Sequence, residues 1–383
     1  MIKPLFGAGK TSARTDGTTD DGVPPPGVRE VLVLQYLRGV AALGVVIFHV
    51  MLGANHYGGV AVRSTSSFGA AGVDLFFVIS GFIMFYITAE KQPRPLQFLG
   101  ARLLRVLPLY WLVTCAMFVM PLISRAIGWS SDLRPLHLLT SLLCIGGVPW
   151  QGGLGDFPIY RAGWTINYEI FFYLLFAGCL LLKPVGRSAV AVSVILGLLV
   201  LIGLTGLVPS GVAGFYTAPI LIEFVFGIVI AQLYMRGRLM PSHLGWIGLL
   251  VGAAALYLLA DAPARGFEKG LPAMLIVASA LALEQAARRR PFAVLRQLGD
   301  ASYSIYLTHL FTLPAAEIVF HRFLPHLTPL TTAIYMLVET LIAIAGGILC
   351  FHFVERPLHL WARNVRRAGA RRAARQREAL DPT

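Results

Sequence analysis

Apolar residues run through this chain in long blocks separated by short polar joints. Ten blocks of about 20 residues stand at 31–52, 70–89, 106–125, 164–183, 188–208, 216–235, 242–260, 268–287, 301–320 and 331–353. About 20 consecutive apolar residues is the length that crosses a bilayer core as an α-helix. The pattern therefore predicts an all-α, polytopic transmembrane bundle of about ten spans. A further run, 133–147, is shorter and carries Arg134, Pro135 and His137, so it reads as a re-entrant or interfacial segment. The first 30 residues are polar and rich in Gly, Pro, Thr and Asp, without the apolar stretch of a signal peptide. They read as a disordered cytoplasmic leader, with the first apolar helix as an uncleaved anchor. The expected organisation is a leader at 1–30, a membrane domain at 31–353 and a basic cytoplasmic tail at 354–383.

Composition strengthens this picture. Hydrophobic residues make up 56% of the chain and charged residues 13%, where a soluble domain carries roughly 25% charged residues. Mean hydropathy is +0.71. The net charge of +13 would by itself admit nucleic acid as a partner, but its placement argues against that. Of the 32 Lys and Arg, 24 fall in segments that ten spans and a cytoplasmic N-terminus leave inside, and 7 fall outside. That bias is the positive-inside signature; it predicts both termini in the cytoplasm and an inner-membrane location. The tail arginines Arg366, Arg367, Arg371, Arg372, Arg375 and Arg377 read as a cytoplasmic stop attracted to anionic lipid. Cys115, Cys144, Cys179 and Cys350 form no CxxC pair and read as small apolar packers. Neither a phosphate-binding GxxxxGK[ST] loop nor an HExxH metal motif occurs, and no metal is expected.

Chemistry is signalled by ionisable groups at membrane depth, where each costs about 2.5–3.5 kcal/mol on insertion scales. Arg38, Asp74, Glu169, Glu223, Glu317 and Glu339 lie in the apolar blocks, together with His49 and His309. Arg38 and His49 are 11 residues apart on one helix. Three helical turns separate them, so both face one direction, about 16 Å apart. Two readings stand: a cation for an anionic donor with an imidazole for proton transfer, or a paired arginine and a hydrogen-bonded core histidine. Arg102 and Arg105 share a face just before the third block, suiting either a phosphate or a cytoplasmic anchor. Trp164, Thr165, Asn167, Tyr168 and Glu169 open the fourth block, as a sugar-binding face or as an aromatic belt with one paired carboxylate. Ser302, Tyr306 and His309 form one polar stripe on the ninth, and Ser80-Gly81 on the second permits close helix packing.

In this order the motifs resemble those of the membrane acyltransferase-3 family, which O-acylates polysaccharides and O-antigens. The resemblance rests on Leu37-Arg38-Gly39 with His49, Phe76-Phe77-Val78-Ile79-Ser80-Gly81, Arg102-Leu103-Leu104-Arg105, Gly163-Trp164-Thr165 to Glu169, Tyr303 to His309, and Glu355-Arg356-Pro357. It implies an enzyme moving an acyl group, by expectation acetyl, from acyl-CoA to a hydroxyl of an exported or cell-surface glycan. It implies His49 as the catalytic histidine with Arg38 beside it, and Arg102 and Arg105 at the acyl-CoA. Glu169 is expected to orient the imidazole; Trp164, Asn167, Tyr306 and His309 are expected on the substrate side. No permanently bound cofactor is expected; the partners are the donor, a glycan or lipid-linked glycan, and membrane lipid. The alternative function is a transporter or flippase for a lipid-linked glycan, which polar stripes in a ten-helix bundle also suit.

Overall fold

The computed structural model describes residues 30–56, 67–126, 134–149, 157–260, 265–323 and 328–364. The expected leader, apart from Glu30, and the six tail arginines named above lie outside the described residues. Among the described residues every regular element is a helix. In chain order they are α1 Leu32–His56, α2 Ser67–Ala70, α3 Gly72–Lys91, α4 Pro95–Ala126, α5 Pro135–Leu142, α6 Trp164–Cys179, α7 Val185–Leu204 and α8 Val212–Phe215. There follow α9 Ile222–Met235, α10 Ser242–Leu258, α11 Arg265–Glu268, α12 Gly270–Ala282, α13 Glu284–Arg289, α14 Ala293–Asp300, α15 Ser302–Phe323 and α16 Pro329–Cys350.

Six segments are long and apolar enough to cross a bilayer: Leu32–Asn55, Phe68–Lys91, Pro95–Met120, Val185–Leu204, Val212–Met235 and Pro329–Asn364. The other four expected blocks are helical but fall short by length or composition. Helix α6 has 16 residues, α10 has 17 and α12 has 13. At 1.5 Å per residue these reach about 20–26 Å, less than the ~30 Å hydrocarbon core. Helix α15 has 22 residues but spends its apolar share on the stripe of Ser, Thr, Tyr and His. The expected third span also begins earlier than its apolar block. Pro95 starts α4, a favoured residue at a first helical position. Arg102 and Arg105 therefore sit inside the helix and not ahead of it. Of the short run at 133–147, the described residues 134–147 form the two-turn α5, a turn at 143–144 and irregular chain.

Side chains facing outward are apolar: Leu201 on α7, Leu250 on α10 and Leu337 on α16 are all exposed. Such a surface is matched to lipid, where only helices satisfy every backbone group internally. The chain is a multi-pass membrane protein. Helix α3 is its centre, with 72% of its apolar window buried against 22% for Pro329–Asn364. It meets α9 with backbones in contact: a Cβ on Gly81 would stand 2.1 Å from the Phe224 carbonyl oxygen, and one on Gly227 only 2.0 Å from that of Val78. Small residues at such crossings let helices approach where lipid supplies no hydrophobic drive.

Helix α1 is fixed at its foot by chemistry. The first amides of a helix lack intrahelical partners. The Leu32 and Val33 amides donate to the buried Glu284 carboxylate at 3.1 and 3.0 Å, and Arg288 pairs with that carboxylate at 2.6 Å. Helix α14 packs against the same turn, where Gly299 leaves room for the Gln35 carbonyl. This clamp sets the height and rotation of the helix that carries Arg38 and His49.

Candidate active site

Five helices, α1, α3, α4, α6 and α15, converge on a cavity of about 830 Å³ including its open mouth. Its cations are Arg38 from α1 and Arg102 and Arg105 from α4; its carboxylate is Glu169 from α6. Polar groups from Ser80, Thr165, Tyr173, Ser302, Tyr303 and Tyr306 complete the wall, and Phe76, Phe77, Ile79 and Ile83 supply an apolar face. The geometry thus gathers residues from five sequence motifs.

Hydrogen bonds hold this wall in place. Glu169 accepts from Ser80 Oγ at 3.2 Å and, in a short bond, from Tyr173 Oη one turn along the same helix. Tyr306 Oη donates to the Ala162 carbonyl at 3.0 Å and lies 2.9 Å from Thr165 Oγ1. Tyr303 Oη reaches across to α4 and donates to the Val106 carbonyl at 2.7 Å, next to Arg105. The Arg105 carbonyl accepts from His359 Nε2 at 3.1 Å. Glu355 lies in the π-helical turn Phe351–Glu355 and accepts from Ser304 Oγ at 2.5 Å. Single π-turns inside helices recur at functional sites; here one aims a buried carboxylate at the helix that bears Tyr303 and Tyr306.

The two histidines form a second centre. The His49 and His309 rings lie 4.7 Å apart, centroid to centroid, tilted by 57°. His49 Nδ1 is 2.9 Å from the Val45 carbonyl, and His309 Nδ1 is 2.7 Å from the Tyr306 carbonyl. A carbonyl only accepts, so each Nδ1 donates, and in the neutral ring Nε2 is then the lone-pair nitrogen. His309 is fully buried, and its Nε2 has no hydrogen-bond partner among the described residues. Tyr306 joins the centres: its ring lines the cavity, and its backbone carbonyl orients His309.

Several expectations therefore sort differently in space. Arg38 and His49 do lie on one helix, but the cavity takes Arg38 while His49 meets His309 beyond it. Glu169 was expected to orient His49; Val45 holds that ring, and Glu169 belongs with the guanidiniums. Trp164 is stacked under Arg265, whose Cζ is 5.3 Å from the ring. Asn167 is fully buried, and neither of its amide atoms has a hydrogen-bond partner among the described residues.

Sequence reasoning missed Tyr173, although its i+4 spacing from Glu169 was a usable signal. It also missed Arg265, which donates through Nε and Nη2 to the fully buried Asp74 at 3.1 and 3.0 Å. Asp74 was legible as a carboxylate at membrane depth; its partner, 191 residues away, carried no local signal. Among the described residues, no three His, Cys, Asp or Glu side chains gather as a metal-ion set.

A lipid-matched helical bundle closed around a polar cavity, with two imidazoles in contact beside it, defines the class of a multi-pass membrane enzyme. The acyltransferase domain of the acyltransferase 3 family matches residues 31–352, and the chain belongs to that family. It is an enzyme of the O-acyltransferase type. It is 35% identical over 309 residues to the exopolysaccharide production protein ExoZ of Rhizobium meliloti (strain 1021), covering 79% of this chain and 92% of that one. No solved structure matches the chain.

Proposed function

We propose that this protein transfers an acetyl group from acetyl-CoA to a hydroxyl of an exported polysaccharide. The observation that carries the reading is the cavity wall, where Arg38, Arg102 and Arg105 meet an apolar channel inside an acyltransferase-family bundle. Guanidinium forks match phosphate geometry, so the CoA diphosphate belongs at Arg102 and Arg105, with Arg38 further in. The pantetheine arm then runs along Phe76 and Phe77 and brings the thioester past Tyr306 to His49. Glu169 limits the positive charge at the mouth and, through Ser80 and Tyr173, keeps the wall in register. Trp164 and Asn167 lie on the acceptor side with Tyr306 and the histidine pair. An exopolysaccharide acceptor is supported by the relative's name alone. The layout is ten spans in the inner membrane with both termini cytoplasmic, which the positive-inside count favours. Donor then enters from the cytoplasm and the glycan from the opposite side.

The test uses the purified full chain in lipid nanodiscs with labelled acetyl-CoA and unacylated exopolysaccharide from a strain lacking the protein. Expected are release of free thiol and an acetyl ester on the glycan, with both abolished in folded His49→Ala. Thioester left intact by the wild-type protein, with the lipid-linked glycan moved across the bilayer, would overturn the reading in favour of a flippase.

A further inference from the structure

We infer that His309 is the general base for the acceptor hydroxyl, while His49 carries the acetyl group as an acyl-imidazole. This rests on the acyl-transfer reading above and adds a division of labour between the two rings. The premise is the pair itself: rings 4.7 Å apart, each with Nδ1–H held by a carbonyl of its own helix and each with Nε2 left as a base.

A single histidine with one free nitrogen cannot do both jobs. Once Nε2 of His49 is acylated, its Nδ1 is still committed to the Val45 carbonyl. No basic nitrogen then remains on that ring to deprotonate an alcohol. The second imidazole stands beside it with the nitrogen that is needed, fully buried and without a hydrogen-bond partner among the described residues. Exposure assigns the roles. The nucleophile must be reached by a thioester, and His49 is partly exposed. A base need only be reached by a proton next to the acylated ring, and His309 is fully buried.

The atoms balance in two steps. His49 Nε2 bonds to the thioester carbonyl carbon, the C–S bond breaks, and CoA leaves as thiolate. The acceptor O–H bond then breaks, its proton passes to His309 Nε2, and its oxygen bonds to the acyl carbon. The C–N bond to His49 breaks and its electron pair returns to Nε2. His309 Nε2 gives its proton to the thiolate, leaving ester, free CoA thiol and two neutral rings. The base is thus held by the Tyr306 carbonyl beside the ring that carries the acyl group.

The discriminating variant is His309→Asn. Its amide reproduces the Nδ1–H bond to the Tyr306 carbonyl but removes the Nε2 base. Mixed rapidly with acetyl-CoA and the unacylated exopolysaccharide, it is expected to release a burst of thiol stoichiometric with protein. Steady turnover then falls about 10²-fold or more, the usual contribution of a positioned base. The acetyl mass increment accumulates on the His49 peptide. His309→Gln is expected to behave the same way, and His49→Ala/His309→Asn to show neither burst nor label. Wild-type turnover in both His309 variants overturns the proposal, as does loss of the burst together with turnover in folded protein. Absence of thiol release from the wild type overturns the acyl-transfer reading itself, and this inference with it.

Discussion

Gly227→Ala adds one methyl group where α9 crosses α3, and the structure states what that methyl meets. The added Cβ would lie 2.0 Å from the Val78 carbonyl oxygen, 2.6 Å from the Phe82 amide nitrogen and 2.9 Å from the Gly81 Cα. All three are backbone atoms of α3, so no rotamer change relieves the overlap. Real Cβ contacts essentially never fall below 3.0 Å, so the helices must part by about 1 Å. Overpacking of this kind costs typically about 1–3 kcal/mol and occasionally more; a clash confined to backbone belongs at the upper end. The shift also reaches function, since α3 brings Ser80 to Glu169 and Phe76 and Phe77 to the cavity. Gly248→Ala is the control, because its nearest neighbour is a side-chain atom, Ser279 Oγ at 2.1 Å. Denaturant titration in mixed micelles, with thiol release from acetyl-CoA as the activity readout, should show Gly227→Ala destabilised and impaired. Gly248→Ala should be destabilised less, and Ser279→Ala should partly restore it. A Gly227→Ala protein with unchanged midpoint and rate would refute the backbone contact between α3 and α9.

Arg105→Ala should raise KM for acetyl-CoA about tenfold with little change in kcat, as loss of uniform binding does; with acetyl-pantetheine, which lacks the diphosphate, the same variant should match wild type. Arg265→Ala strands the fully buried Asp74 without its cation, a loss of about 3–5 kcal/mol for a broken buried pair; Asp74→Asn/Arg265→Ala should recover part of it in the same titration. Glu284→Gln keeps one oxygen acceptor for the two amides of Leu32 and Val33, turns an NH2 group toward the other, and drops the charge that Arg288 pairs with. It should therefore be milder than Glu284→Ala, which leaves two helix-end amides without an acceptor and should unfold at lower denaturant by about 1–3 kcal/mol.

The cavity depends on residues that are far apart in the chain. Ser304 and Glu355 are 51 positions apart, and Ser80 and Glu169 are 89 apart. Their motifs were visible as motifs, yet nothing local stated that RxxR on α4 and the Arg38 turn of α1 open onto one space. His49 and His309 were each legible as an imidazole at membrane depth; their contact was not. Helical periodicity expected Arg38 and His49 on one side of α1; the cavity takes Arg38, while His49 meets His309.

The sequence by itself determined the medium and the secondary structure, because a bilayer admits few solutions. Long apolar runs must become helices there, and positive charge must gather on one side. It also marked which polar residues were too costly to be accidental. Tertiary structure alone decided their grouping: three guanidiniums and Glu169 around the cavity, the two imidazoles beside it, Asp74 with Arg265 and Glu284 under α1. These pairings are set by how helices cross and rotate against one another, through contacts such as those at Gly81, Gly227 and Gly299. Such packing is a property of many side chains at once and leaves no trace in any single stretch of chain.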